Sequence, residues 1–552
     1  MRMKAIDNIV YAAALAAAAA FAGRASAADG IESDDVAESA RASSADVAFA
    51  TPHVRVTAWE LMDQTDAHNE LVHRREWLLM PGEAAFTLSV NVLDAMEIAS
   101  GRGVVFVRKA PLPHARADRR PDFKVVSGRP HVVKALPTDY PCERIAYEGG
   151  ERGRHRALMA AQRRWRACVP GRDGLLLSNT WGDRARDAHL NEAFMLREIA
   201  IAADLGVDVV QIDDGWQRGR TANSSAANGK GVWNGYWAAA PDFWTADPVR
   251  FPNGLGALSA AAREKGVSLG LWFGPDSSND AANWERDADL LVGYWRDYGV
   301  RHYKIDSMKS HSALALSRQR ALFDKVLAET KGDVTFDLDV TAEVRPGYFG
   351  MPEIGPVFVE NRYTDWGKYW PHQTLRNLWS LAEVVDPVRL RMEFLNLERN
   401  RGRYPNDPLA PSEWTPDAVF ASVMVASPLG WFELSGLSPD TIASLKPIVA
   451  AWKRERDRMH AGVVFPVGAK PDGASWTGFV VEAADGRGGY AVLFRDGSAE
   501  ERWSLDLAGL LPAVSRCEVL AGDGAAELDG MRLRVSAPGR LGYVWARLGG
   551  VR

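Results

Sequence analysis

Val300-Arg301-His302-Tyr303-Lys304-Ile305-Asp306 is the stretch that decides how this chain folds. It reads as a short buried strand whose last residues form a Lys-x-Asp pair. A parallel barrel gathers its site at the C-terminal ends of its strands, so a carboxylate there faces the mouth. Side chains alternate along a strand, so Lys304 points the same way as Asp306. An ammonium that close keeps the carboxylate ionised, as a nucleophile must be. A second stretch, Val207-Asp208-Val209-Val210-Gln211-Ile212-Asp213-Asp214-Gly215-Trp216, ends in the same manner. One acidic tip alone is an ordinary polar strand end. Two in one series point to chemistry run by carboxylates on sugars.

Outward from these two, strands and helices alternate. Leu175 to Trp181 is expected as the first strand. A helix over Asn191 to Leu205 stops at Gly206, and Val207 to Ile212 is the second strand. Val267 to Phe273 is the third, Arg301 to Ile305 the fourth and Asp333 to Leu338 the fifth. Gly355 to Val359 opens the sixth, and Leu390 to Leu395 is the seventh. Val419 to Ala426 is expected as the eighth, with a short apolar extension over Leu429 to Phe432. A helix from Pro439 to His460 closes the set. Eight such alternations predict an α/β fold with a central (β/α)8 TIM barrel over 169–461.

The flanks read differently. Residues 49–168 carry β signals and are expected to form an N-terminal β-sandwich followed by a linker helix. Ala85 to Val92 alternates, with Phe86, Leu88, Val90 and Val92 on one face, and Gly103 to Val107 is a continuous apolar run. The helix-like segment 151–167 is rich in arginine. The chain as a whole is acidic, so a solvated linker fits better than a nucleic-acid contact. Residues 462–552 return to short strands and predict a small C-terminal β-sandwich.

The chain has 552 residues, enough for several domains, and a formal net charge of −5. That charge gives no reason to expect nucleic acid or an anionic membrane as partner. Residues 1–27 read as a signal peptide: Arg2 and Lys4, an apolar run from Ile9 to Gly23, then Ala25-Ser26-Ala27. Cleavage is expected before Ala28, leaving a chain near −7 and a secreted or periplasmic location. The apolar run is short for a stable membrane anchor, and 28–48 is expected as a flexible leader. Three cysteines, Cys142, Cys168 and Cys517, are too few for a disulfide framework or a metal site. The export signal would permit a Cys142–Cys168 bridge, though buried or unpaired thiols fit better. No phosphate-binding or dinucleotide glycine pattern occurs, so no cofactor is expected. Twenty tryptophans suit a protein that stacks aromatic faces on sugar rings.

Asn179-Thr180-Trp181, Ile212-Asp213-Asp214-Gly215-Trp216-Gln217, Gly270-Leu271-Trp272-Phe273 and Lys304-Ile305-Asp306 together resemble the α-galactosidases of glycoside hydrolase family 36 and the wider melibiase clan. The resemblance covers about residues 170–460. It implies a retaining glycosidase with an oligosaccharide or glycoside substrate, which the signal segment would make an exported one. Asp306 matches the nucleophile at the tip of strand four. The acid/base carboxylate of the family comes from strand six, which here reads Val359-Glu360-Asn361-Arg362-Tyr363-Thr364-Asp365-Trp366. Asp365, 59 residues beyond Asp306, is the leading match, and Glu360 is the alternative. The resemblance makes Asp213 and Asp214 the clamp for the 4- and 6-hydroxyls. Trp181 is expected as a wall of the sugar pocket, Trp216 beside that clamp, and Lys304, Arg345 and Arg362 as substrate donors. Asp276 and Trp233 are rim candidates, and Asp339 is a better strand-five candidate than Asp337. The glycine- and cysteine-rich loop of many relatives after strand five is replaced by Asp339 to Phe349, which leaves the sugar open. Transfer to another sugar, and carbohydrate binding without catalysis, are the competing functions.

Overall fold

The computed structural model describes residues 46–550 apart from 64–69, 184, 226–229, 342–344, 361, 364–368 and 400. The expected signal peptide, and the leader up to residue 45, lie outside the described residues. Val47 and Ala48, placed in the leader by the sequence, instead belong to a strand, Val47–Phe49, paired with His131–Ala135.

Eight parallel strands close into a barrel: β1 (Leu177–Asn179), β2 (Val209–Ile212), β3 (Ser268–Phe273), β4 (His302–Ile305), β5 (Thr335–Asp339), β6 (Val357–Phe358), β7 (Leu390–Phe394) and β8 (Ser427–Gly430). Each pairs with the next, and β8 returns to β1. Apolar strand residues bury on both faces because helices cover the outside. The helix Glu192–Leu205 shows how local signals set an element. Asn191 Oδ1 accepts the Phe194 N–H at its start, and Gly206 takes a left-handed conformation at its end.

The eighth strand is not where the sequence placed it. Pro416–Ala421 is a helix, capped by the Thr415 hydroxyl with Pro416 in its first turn, and the strand itself is Ser427–Gly430. A continuous apolar run does not distinguish a buried helix from a buried strand, whereas Thr-Pro marks a helix start. The helix Pro439–Ala461 then closes the barrel. Its Trp452 is buried against Phe420 and donates its indole N–H to the Met424 carbonyl (2.9 Å).

The N-terminal region is a two-sheet sandwich of four and five strands, with Phe49, Val56, Phe106, Phe123 and Val133 between the sheets. The alternation over 85–92 spans two strands rather than one. Phe86–Leu88 lies in one sheet and Val92–Glu97 in the other. Between them the Asn91 amide donates to the carbonyls of Arg108 and Ala110, which turns the chain across the sandwich. The C-terminal region is likewise two antiparallel sheets around Phe465, Val480, Leu493 and Leu533.

The arginine-rich segment is the helix Gly150–Trp165, and it joins all three regions. Arg154 stacks on Trp59 of the N-terminal sandwich, Gln162 donates to the Val384 carbonyl of the barrel, and Arg156 pairs with Glu482 of the C-terminal sandwich. Its arginines thus meet protein partners, and the helix is packed rather than solvated as the sequence suggested. No cysteine is joined in a disulfide, and burial pushes the Cys142 thiol up to about 11. Among the described residues, no helix is long and apolar enough to cross a membrane, and no His, Cys, Asp and Glu cluster could hold a metal.

Candidate active site

Asp306 follows the last residue of β4, at the barrel mouth. Its backbone N–H is the last rung toward β3, donating to the Phe273 carbonyl (3.0 Å). Ser307 then adopts a left-handed conformation (φ 54°), a strained choice for a residue with a side chain. That turn folds the Ser307 N–H back onto Asp306 Oδ1 (2.5 Å). Arg345 Nη2 lies 2.6 Å from the same oxygen, while Trp272 Nε1–H donates to Oδ2 (3.0 Å). Burial alone would raise the pKa of this carboxyl. Arg345 first, then Lys304, Trp272 and the Ser307 N–H, outweigh it and hold the group at about 2. The two oxygens therefore differ. Oδ1 is held by two donors and Oδ2 by one, which leaves Oδ2 the freer to attack.

Lys304 sits one strand over from Trp272, its register partner on β3, and is buried. Its ammonium lies 3.1 Å from Asp213 Oδ2 and 3.8 Å from Asp339 Oδ2, above the rings of Trp431 (4.7 Å) and Phe358 (5.0 Å). Desolvation opposes the charge, but Asp213, Asp339 and Asp306 together raise the pKa, so the ammonium stays charged. Strand five divides its two aspartates as expected. Asp337 is held by Arg391 through both oxygens (3.1 Å each) deeper in the barrel. Asp339 stands at the mouth, accepting the Thr341 N–H and hydroxyl, with its pKa raised by burial and then by the Asp306 charge.

The β2 tip is built more tightly. Asp213 accepts the Asn179 amide (2.7 Å), Lys304, and the Asp214 N–H (2.8 Å). Asp214 takes Gln217 Nε2 (2.7 Å) on one oxygen and the Thr221 hydroxyl on the other. Burial pushes its carboxyl up to about 7 despite those two donors. Gly215 has to be glycine: at φ 111° a Cβ would lie 2.2 Å from the Asp187 side chain. Trp181 is buried beside this network, its backbone N–H donating to Asn179 Oδ1 (2.8 Å).

Three expectations change. Trp216 turns into the barrel wall, where its N–H meets the Trp272 carbonyl (2.8 Å) and its ring packs on Trp244 and Tyr294. It supports Trp272 instead of standing beside the clamp. Arg362, expected as a substrate donor, reaches Glu360 with Nε (3.4 Å), and its backbone N–H donates to Glu393 (2.8 Å). Glu360, the alternative acid/base, is fully buried and accepts Thr374 (2.7 Å) and Asn377 (2.7 Å). That satisfied network suits a structural carboxylate. Asp365, the leading match, lies outside the described residues. Asp276 binds the N–H groups of Gly235 (3.2 Å) and Ser278 (3.0 Å), which knits the loops after β2 and β3. Trp233 packs on Trp272, with centroids 6.3 Å apart.

Sequence reasoning missed Trp272 as a donor to Asp306, and Thr221 as a donor to Asp214. Trp272 had a signal, since it occupies the same inward parity on β3 that Lys304 does on β4. Thr221 had none, because it lies in a long irregular loop. A cavity of about 250 Å3 in the N-terminal sandwich, lined by Glu60, His114 and Arg119 among others, contains none of these mouth residues.

No family model matches the chain. It is 30% identical over 117 residues to α-galactosidase 2 of Pediococcus pentosaceus, and 30% over 118 residues to α-galactosidase Mel36A of Lactobacillus acidophilus. Each match covers 21% of this chain and only 14% of the relative's length. Solved structures agree over far more. The galactosidase domain of the α-galactosidase-sucrose kinase AgaSK superposes with TM-score 0.65 at 11% identity, over 92% of this chain and 75% of that one. The family 36 α-galactosidase AgaA of Geobacillus stearothermophilus gives 0.61 at 14%, over 92% and 76%. The Lactobacillus brevis α-galactosidase gives 0.62 at 12%, over 92% and 75%. With its closed barrel between two β-sandwiches, this chain has the fold of the glycoside hydrolase family 36 α-galactosidases.

Proposed function

We propose that the chain is a retaining α-glycosidase acting on terminal α-galactosides, with Asp306 as nucleophile and Asp365 as acid and base. One observation carries the reading: a partly buried carboxylate at a barrel mouth, held ionised near 2 by Arg345, Lys304 and Trp272, with one oxygen less encumbered. An ionised carboxylate is what the nucleophile of a double displacement requires. In the first step Asp306 Oδ2 forms a bond to the anomeric carbon. The glycosidic C–O bond breaks, and the leaving oxygen takes a proton from Asp365. In the second, water gives its proton to Asp365 and its oxygen to the anomeric carbon, and the Asp306–sugar ester breaks. Asp213 and Asp214 meet the far hydroxyls. Variants of the AgaA neighbour have been crystallised with raffinose and stachyose, which makes α-galactosyl oligosaccharides the first substrates to try. The charged start, apolar run and Ala25-Ser26-Ala27 support an exported enzyme beginning at Ala28. The intact mass of the exported protein tests that start.

The testing experiment is a panel of nitrophenyl α-glycosides. Turnover of the α-galactoside, lost in Asp306→Ala, supports the reading, and no turnover of any α-glycoside refutes it. Azide should restore activity to Asp365→Ala. Free galactose against larger products separates hydrolysis from transfer.

A further inference from the structure

Tyr236 lies in the loop after β2, at the start of the short helix Tyr236–Ala239, and is fully buried. Its ring packs on Phe243 and Trp244, with centroids 5.0 Å away in each case. Held there, its hydroxyl reaches over the end of β3 to the turn after β4, 2.7 Å from Ser307 Oγ. Gly274, the residue after β3, makes room for this meeting. A Cβ at that position would lie 2.5 Å from Ser307 Oγ and 2.8 Å from the Tyr236 hydroxyl oxygen. Burial first, then the charges of Asp306 and Asp214, push the Tyr236 hydroxyl up against the opposing pull of Ser307 and Arg345, so it stays a neutral phenol.

No step of the double displacement uses this hydroxyl, yet it bears on the residue that does. Ser307 stands at φ 54°, which a residue with a Cβ adopts only at a cost. That conformation aims the Ser307 N–H at Asp306 Oδ1 (2.5 Å). Strain of this kind persists only where the surroundings hold it. Two hydroxyls do so here. Ser277 Oγ donates to the Ser307 carbonyl over a long 3.4 Å, and Tyr236 meets the Ser307 side chain at full hydrogen-bond strength, shielded from water.

We propose that Tyr236 is a positioning residue for Asp306: acting through Ser307, it holds the left-handed turn that keeps a donor on Oδ1 and leaves Oδ2 to the anomeric carbon. This rests on the glycosidase reading above and deepens it. The loop after β2 thereby serves the tip of β4 as well as its own.

The test is a double-mutant cycle, measured on the nitrophenyl α-glycoside that wild type turns over, with the matching free sugar as inhibitor. Tyr236→Phe removes one oxygen and keeps the ring. It should lower kcat/KM about fivefold or more, while the inhibition constant of the free sugar stays within about twofold. Ser307→Gly enters the left-handed region freely and carries no hydroxyl. In that background, adding Tyr236→Phe should change kcat/KM by less than about twofold, because there is no strained turn left to hold. A tyrosine that only packs would weaken sugar binding as much as turnover. That outcome, an equal loss from Tyr236→Phe in both backgrounds, or no loss in either, overturns the proposal and leaves the glycosidase reading standing. If wild type cleaves no α-glycoside, the glycosidase reading itself fails and takes this one with it.

Discussion

The tips of β2 and β4 both carry aspartates, and their carboxyls shift in opposite directions. Asp214 on β2 is closed in by Thr221 and Gln217, neutral donors that do not offset burial, and its carboxyl rises to about 7. Asp306 on β4 is somewhat more exposed, and Arg345 and Lys304 bring full positive charges that hold it at about 2. Neutral hydrogen bonds satisfy a carboxyl; cations ionise it. The difference assigns roles without any change of residue, and each prediction below is aimed at it.

The largest effect is expected at Asp306. Asp306→Asn should cost roughly four orders of magnitude or more in kcat, with circular dichroism unchanged, because nothing else can bond the anomeric carbon. Lys304→Met attacks both tips at once. It strands Asp213 and Asp339 without their shared cation, and losing one partner of a buried pair costs about 3–5 kcal/mol. Thermal unfolding should show that loss, and activity should fall with it.

Trp272→Phe keeps the ring but removes the N–H on Asp306 Oδ2. We expect about a tenfold drop in kcat, since one donor to a charged group is worth about 1.5–3 kcal/mol and part of it is replaced by water. The acid limb of the pH–rate profile should move up in this variant. The proposed nucleophile acts in its ionised form, and removing a donor raises its pKa.

Asp214→Asn sharpens the comparison from the other side. A carboxyl raised in the folded state contributes stability that is fully present below its unfolded value near 4 and is lost as pH rises through about 7. The melting temperature of the variant should therefore gain on wild type as pH rises across that window. Asp306 has the reverse sign: its contribution is present above about 4 and lost as pH falls toward 2. Glu360→Gln should be the mildest for chemistry. It weakens the network with Thr374, Asn377 and Arg362 and lowers the melting temperature, and azide rescue of this variant instead of Asp365→Ala would move the proposed proton donor to Glu360.

Much of this was legible in the sequence. Lys304 and Asp306 share a strand parity, and parity is what a strand fixes, so their common direction needed no tertiary information. Gly206 and Asn191 marked a helix by their own chemistry. The eighth strand was misplaced because an apolar run is common to a buried helix and a buried strand, and only Thr415-Pro416 distinguished them. Trp216 was misread because parity and proximity to a motif do not say whether a side chain meets the mouth or its neighbours. The pairing of Arg345 with Asp306 was not legible at all. It joins residues 39 apart in sequence through a loop of irregular backbone, where no period applies.

The most direct test of the central claim is covalent. Wild-type protein would be treated with a 5-fluoro galactosyl fluoride, which keeps the 2-hydroxyl while slowing release, then digested and sequenced by mass spectrometry. We predict one glycosyl group attached to the peptide containing Asp306, on that side chain. Its attachment to a different carboxylate would contradict the account.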